Sequence, residues 1–322
     1  MKNIFGIAAL CLMASFVAPS YADEPGMGHK VELRSKAIKG DVPLDPNSKV
    51  WDNARQTIVE MVPQNLVPPG LAAGTIPSVK VKSVNNGKEI AFLLEWYDPT
   101  EDDTETKMDT FSDAVAIMFP VKPKNEPSFM MGDPDNPVQI IYWKAAWQKD
   151  IDKGYYQDVR DAYPNYNIDV YPLVDNMVDA HGKPIVVKDG EIYKPVAPED
   201  RAINTPIEKY TREQKAFVPG LAVHNPRSQP GRTVPVEELN AIGFGSLTPQ
   251  VINEAKGKGV RYNGYWKVVI THPMDSGNIQ DAIQQAGEHH FIYALAIWDG
   301  GKMNRGGRKN YSNGGWQQML IE

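Results

Sequence analysis

Ten prolines fall between Arg160 and Pro235. No strand inside a sheet holds prolines at that density, because each one fixes φ and removes a ladder donor. Regular structure must therefore come from the two flanks of this stretch, and both read as β. On the N-terminal side, Val79–Val84 and Glu89–Tyr97 are rich in β-branched and aromatic residues and enclose Asn85-Asn86-Gly87-Lys88, a hairpin signal. Phe111–Phe119 and Val138–Trp147 extend the pattern, and Tyr265–Thr271, Glu288–Trp298 and Gly315–Ile321 resume it on the C-terminal side.

These runs predict a mainly β fold, an immunoglobulin-like antiparallel β-sandwich with long loop and short-helix insertions, built by both ends of the chain. A single domain is expected over 51–322, with a loop-rich excursion at about 148–258. Short helices are expected inside that excursion, among them Val236–Ile242 after Thr233. Its tyrosines, such as Tyr155, Tyr163 and Tyr171, favour packing over disorder.

Residues 1–22 read as a secretory signal peptide: Lys2, an apolar run from Ile4 to Val17, then Ser20-Tyr21-Ala22 before the cut. That run is too short to span a bilayer and no later stretch is long enough, so the expected product is exported, periplasmic or in an equivalent lumen. Residues 23–50 are polar and read as an extended arm. Cys11, the only cysteine, lies inside the signal. The mature chain is thus denied disulfides, thiolate metal sites, iron–sulfur clusters and the C-x-x-C-H attachment of c-type haem. A net charge of −6 makes nucleic acid a poor partner.

Several constellations lead nowhere. The histidines, His29, His181, His224, His272, His289 and His290, lack metal-ligand spacing and read as solvated or structural. No nucleophile elbow is present, so no catalytic residue is assigned. Gly243-Phe244-Gly245-Ser246 lacks the Lys-Ser/Thr of a phosphate loop and a preceding strand. Glu101-Asp102-Asp103-Thr104-Glu105 lacks the spacing of an EF-hand and reads as a solvated loop. More telling are two methionines in Phe129-Met130-Met131-Gly132-Asp133 and the basic, glycine-rich loop Gly300–Lys309. Together they suggest a thioether and an amine converging at one end of a sandwich.

Ordered blocks run along almost the whole mature chain: Trp51-Asp52, Ile90–Asp98, Phe111–Pro120, Phe129–Asp133, Ile141–Trp147, Pro235–Leu247, Gly264–Val269, Phe291–Gly300 and Arg308–Trp316. In these the chain resembles the haem b-binding gamma subunits of ethylbenzene dehydrogenase- and dimethylsulfide dehydrogenase-type molybdenum enzymes. That group includes subunits of selenate and chlorate reductases and of nitrite oxidoreductase, the last being the first choice among them. The resemblance implies a non-catalytic electron-transfer subunit with one haem b, working between an iron–sulfur beta subunit with its molybdenum alpha subunit and a soluble cytochrome. It also implies axial iron ligands at Met131 and Lys309. Met130 and Lys302 are the alternatives, since adjacent residues on extended chain point oppositely. His272 stands where arginine is expected. Trp143, Trp147 and Trp266 are either pocket walls or core. A cofactor-free carbohydrate- or ligand-binding sandwich is the competing reading.

A lysine must be neutral to ligate iron. From an ordinary value near 10.4, deprotonation at pH 7 costs about 4.6 kcal/mol, so burial and the iron's charge must depress its pKa.

Overall fold

A computed structural model describes residues 32–122, 126–155, 157, 159–163, 232–282, 284 and 290–322. Residues 1–22, read above as a signal peptide, and most of the proline-rich stretch lie outside the described residues. Thirteen strands are described: β1 (Leu33–Ala37), β2 (Thr57–Pro63), β3 (Ser78–Asn85), β4 (Glu89–Tyr97), β5 (Ala114–Pro120), β6 (Val138–Lys144), β7 (Val236–Ala241), β8 (Thr248–Pro249), β9 (Lys256–Tyr262), β10 (Tyr265–Pro273), β11 (His290–Trp298), β12 (Asn310–Ser312) and β13 (Gln317–Ile321).

The hairpin expected around Asn85-Asn86-Gly87-Lys88 forms between β3 and β4, with Gly87 at φ 80° in the turn. One layer runs β9-β10-β4-β3, all antiparallel. The other runs β8-β7-β6-β5-β11-β12, also antiparallel. Two strands turn the corners between them. β2 pairs with β3 through Thr57–Glu60 and with β12 through Met61–Pro63. β11 pairs with β13 through His290–Tyr293 and with β5 through Ala294–Trp298. The architecture is the expected mainly antiparallel sandwich. Part of the arm joins it, because β1 pairs in parallel with both β3 and β13.

Period-two alternation decides which side chains meet. Phe92, Leu94 and Trp96 of β4 face Val115, Ile117 and Phe119 of β5 and Ile141 and Trp143 of β6 across the layers. Three indoles, Trp96, Trp143 and Trp266, meet in this core with centroids 5.2–6.5 Å apart. Gly259 makes room for them: a Cβ there would stand 2.2 Å from the Trp143 ring. On the outside of the first layer, the arm's Ile38, Val42 and Val50, with Trp51, cover Val84, Ala91, Leu93 and Val269.

Two readings are corrected. Val236–Ile242 is not a helix, since Val236–Ala241 is β7. Its acidic residues look solvent-facing in sequence, but Glu237 is buried against Lys144 and Glu238 against His272. Tertiary partners override the helical appearance, and a strand does precede Gly243. Val138–Trp147 is a strand only to Lys144. Ala145–Lys153 is helix α1, closed by Gly154 at φ 76°.

Candidate functional site

The outer face of the second layer holds a cavity of about 610 Å3, within the roughly 300–1,000 Å3 of cofactor-sized sites. Its floor follows from alternation. Residues whose neighbours face the core point outward here: Ala116 and Met118 of β5, Ile140 and Tyr142 of β6, Ala294, Ala296 and Trp298 of β11. The three alanines leave the volume unfilled.

The rim is made by loops. Met130 and Met131 come from the β5–β6 loop, Phe244 and Leu247 from the β7–β8 loop, Gly306, Gly307 and Lys309 from the β11–β12 loop, and Leu66–Pro69 from the β2–β3 loop. Met131 and Lys309 therefore line one cavity. Met130 lines it too. Lys302 is exposed and is not among the lining residues.

Both loops are held rigidly. Met131 has φ 73° and Gly132 φ 80°, two successive left-handed residues. At Gly132 a Cβ would lie 2.9 Å from the Asn136 carbonyl oxygen, so glycine is required there. The Met131 carbonyl accepts from Gly243 N at 2.8 Å, and the Asp133 carboxylate accepts from the backbones of Asp135 and Asn136. On the other side, Gln64 Nε2 donates to the Gly307 carbonyl at 2.8 Å and Trp298 Nε1 to that of Gly306 at 3.0 Å. The β5–β6 loop is also tied to β12 and the turn after it: Phe129 stacks on Tyr311 with centroids 6.0 Å apart, and Trp316 Nε1 donates to the Pro127 carbonyl at 2.7 Å. Gly315 leaves the space that Phe129 fills.

Two lysines reach the cavity, with opposite electrostatics. Lys144 is ion-paired with buried Glu237 and lies 3.8 Å from the Trp147 ring centroid. Lys309 has no hydrogen-bonded or ionic partner for its Nζ among the described residues; the Trp298 ring lies 5.3 Å away. Burial alone pushes its amine down to about 8. Neutralising it at pH 7 then costs about 1.4 kcal/mol, not 4.6. Arg305 is exposed at the edge of the cavity, 4.3 Å from the Phe111 ring centroid.

Of the three tryptophans read as either pocket walls or core, none lines the cavity. Trp143 and Trp266 belong to the core between the layers, because their strand positions face inward. Trp147 is buried beneath Lys144 and Arg232. Trp298, Gln64 and the alanine floor were missed. Ala294 and Ala296 alternate with Tyr293, Leu295 and Ile297, which was the available signal.

His272 is buried, with Nε2 2.7 Å from Glu238 and 3.5 Å from Asp281. Burial opposes its charge, but bonds and charges from Asp281 and Glu238 outweigh that and raise its pKa to about 9. A cation thus stands at the position where arginine is expected. His29, His181, His224 and His289 lie outside the described residues.

Fold and cavity together define a β-sandwich with a preformed apolar site, equipped with thioethers on one rim and an acid-free amine on another. Residues 48–310 match the family model described as "Ethylbenzene dehydrogenase". The chain belongs to that family. It is 30% identical over 105 residues to a "Putative respiratory nitrate reductase heme subunit ORF7" of Haloferax mediterranei, covering 33% of this chain and 38% of that protein. It is 28% identical over 116 residues to "Chlorate reductase subunit gamma" of Ideonella dechloratans, covering 35% and 48%. The chain thus spans less than half the length of these curated relatives. A family 9 carbohydrate-binding module of Caldicellulosiruptor kristjanssonii overlaps 91% of the chain at a TM-score of 0.36 and 6% identity, too distant to carry function.

Proposed function

We propose that the chain is an electron-transfer subunit that holds one haem b in this cavity, with Met131 and Lys309 as the axial ligands. The observation that carries the reading is a lysine without an acid partner sharing an apolar cavity with a methionine that comes 178 positions earlier in the chain. Haem supplies a one-electron couple when bound. The protein's part is to present a thioether from a loop fixed at φ 73°, to lower by burial the cost of neutralising the Lys309 amine, and to exclude water with the apolar floor. A thioether ligand favours the ferrous state and raises the potential. Arg305 is placed to pair with a haem carboxylate at the cavity edge. With Met131 and Lys309 holding the group, the haem would supply one-electron transfer and the subunit would leave substrate chemistry elsewhere.

In this reading the subunit is exported and joins an iron–sulfur beta subunit and a molybdenum alpha subunit, as in a nitrite oxidoreductase-type complex, and a soluble cytochrome exchanges its electrons. Among the described residues, no helix is long and apolar enough to cross a membrane. The test is a reduced-minus-oxidised spectrum of the purified chain. A b-type α-band is expected, shifted and of lower occupancy in Met131→Ala and Lys309→Ala. An unchanged band in both variants removes the ligand assignment, with Met130→Ala the next to try. A colourless protein that binds glycans returns the carbohydrate-binding reading.

A further inference from the structure

Away from the cavity rim, three buried carboxylates come together from three separate segments. Asp98 follows β4, Asp113 precedes β5, and Asp299 follows β11. One oxygen of each lies within 4.8 Å of the others. Their relative exposures are 0%, 0% and 2%.

Neutral donors serve part of this group. Asp98 Oδ1 accepts from Thr100 N at 3.1 Å; Asp113 accepts from Gly300 N, Asp102 N and Trp266 Nε1 at 2.8–3.0 Å; Asp299 Oδ1 accepts from Lys302 N at 3.0 Å. No lysine or arginine forms an ion pair with any of the three among the described residues. Arg261 comes near but spends its guanidinium on the carbonyls of Asp98 and Thr100. Asp98 Oδ2 is fully buried and accepts from no N–H or hydroxyl group among the described residues; the only side chain that faces it as a hydrogen-bonding group is the carboxyl of Asp113. Such an atom is costly unless something electropositive meets it.

We propose that Asp98, Asp113 and Asp299 hold a divalent cation of the calcium class. Three carboxylates with no nitrogen or sulfur donor are a hard-oxygen set, and calcium accepts six to eight oxygens in flexible geometry. Carboxylates offering up to two oxygens each, with the Thr100 hydroxyl beside Asp98, meet that demand more readily than magnesium's strict octahedron. Zinc is disfavoured by the absence of nitrogen and sulfur ligands. The ion clamps the β4–β5 loop, the start of β5 and the β11–β12 loop to one another, at a place where polar groups stand in for core.

Unliganded, the group is strained electrostatically. Burial raises Asp98; burial and the charge of Asp98 push Asp113 up to about 8; burial, then Asp98, push Asp299 up to about 6. Protons are therefore the competing occupant, and the experiment separates them from a metal.

Full-length protein would be stripped with EGTA, then titrated with CaCl2 or MgCl2 while its thermal midpoint is followed. Calcium is expected to raise the midpoint by on the order of 5 °C, magnesium by less, with one calcium per chain by elemental analysis. Asp299→Asn and, separately, Asp98→Asn should lose the response while remaining folded. No calcium-dependent shift and no bound calcium would overturn the proposal. So would an Asp113→Asn protein more stable than the parent in calcium, the outcome of a shared proton. Haem-free protein should respond as fully as haem-loaded protein, so this result stands apart from the spectrum.

Discussion

The two buried acidic clusters sit at opposite ends of β4. His272 pairs in register with Ile90 near its start, and Asp98 follows its last residue, Tyr97. Each brings charges within 4.8 Å in a space that excludes water. At that distance two unit charges interact by about 3 kcal/mol at an effective dielectric of 20. At one end, Glu238 and Asp281 are answered by an imidazolium within the chain. At the other, Asp98, Asp113 and Asp299 stand together with no ion-paired side-chain cation among the described residues, the charge of Lys302 acting on Asp299 only from a distance. The difference teaches that a buried carboxylate group must be judged by the cation it faces, not by how many acids it contains.

The largest effect should follow from removing the internal cation. His272→Ala leaves Glu238 and Asp281 buried and unanswered, at a cost of about 3–5 kcal/mol, measurable by urea unfolding. If that variant were as stable as the parent, the cluster would not depend on His272. Calcium should not rescue it.

Next comes pH. The folded pKa of His272, about 9, lies above the ordinary 6.5. Its contribution, about 3 kcal/mol, is complete below about pH 6.5 and disappears as pH rises through about 9. Asp281, held below the usual carboxylate range mainly by bonds from His272, Ser276 and Gln250 that outweigh burial, contributes above about pH 4 and loses this as pH falls through its lowered value. Arginine at 272 should flatten the alkaline loss in a stability–pH profile. A profile identical to the parent's would assign that loss elsewhere.

The smallest effect concerns the neutral donors. Ser276 Oγ donates to Asp281 Oδ2 at 2.6 Å. Ser276→Ala should cost about 1 kcal/mol, equally with and without calcium. A calcium-sensitive cost would mean the two ends communicate.

The sandwich was legible because its strands carry β-branched alternation and one clear Asn-Asn-Gly-Lys turn. The assignment of Met131 and Lys309 rests on resemblance; the cavity is lined by Met130, Met131 and Lys309 and not by Lys302. β7 was misread because Glu237 and Glu238 look solvent-facing until Lys144 and His272 are known to cover them. The trio of Asp98, Asp113 and Asp299 left no linear trace. Asp98 and Asp113 stand at the two ends of the β4–β5 connection, and Asp299 joins them only because β11 pairs beside β5. The run Glu101–Glu105, which drew attention by its charge density, supplies none of the three.

The floor of alanines has a consequence for redesign. Ala116, Ala294 and Ala296 hold open a hollow that leucine side chains would plug with nine added carbons. Such a triple replacement would narrow the cavity of about 610 Å3 while keeping the strand order. A few small side chains on this surface therefore decide whether the sandwich offers an open face to a bound group or a filled one.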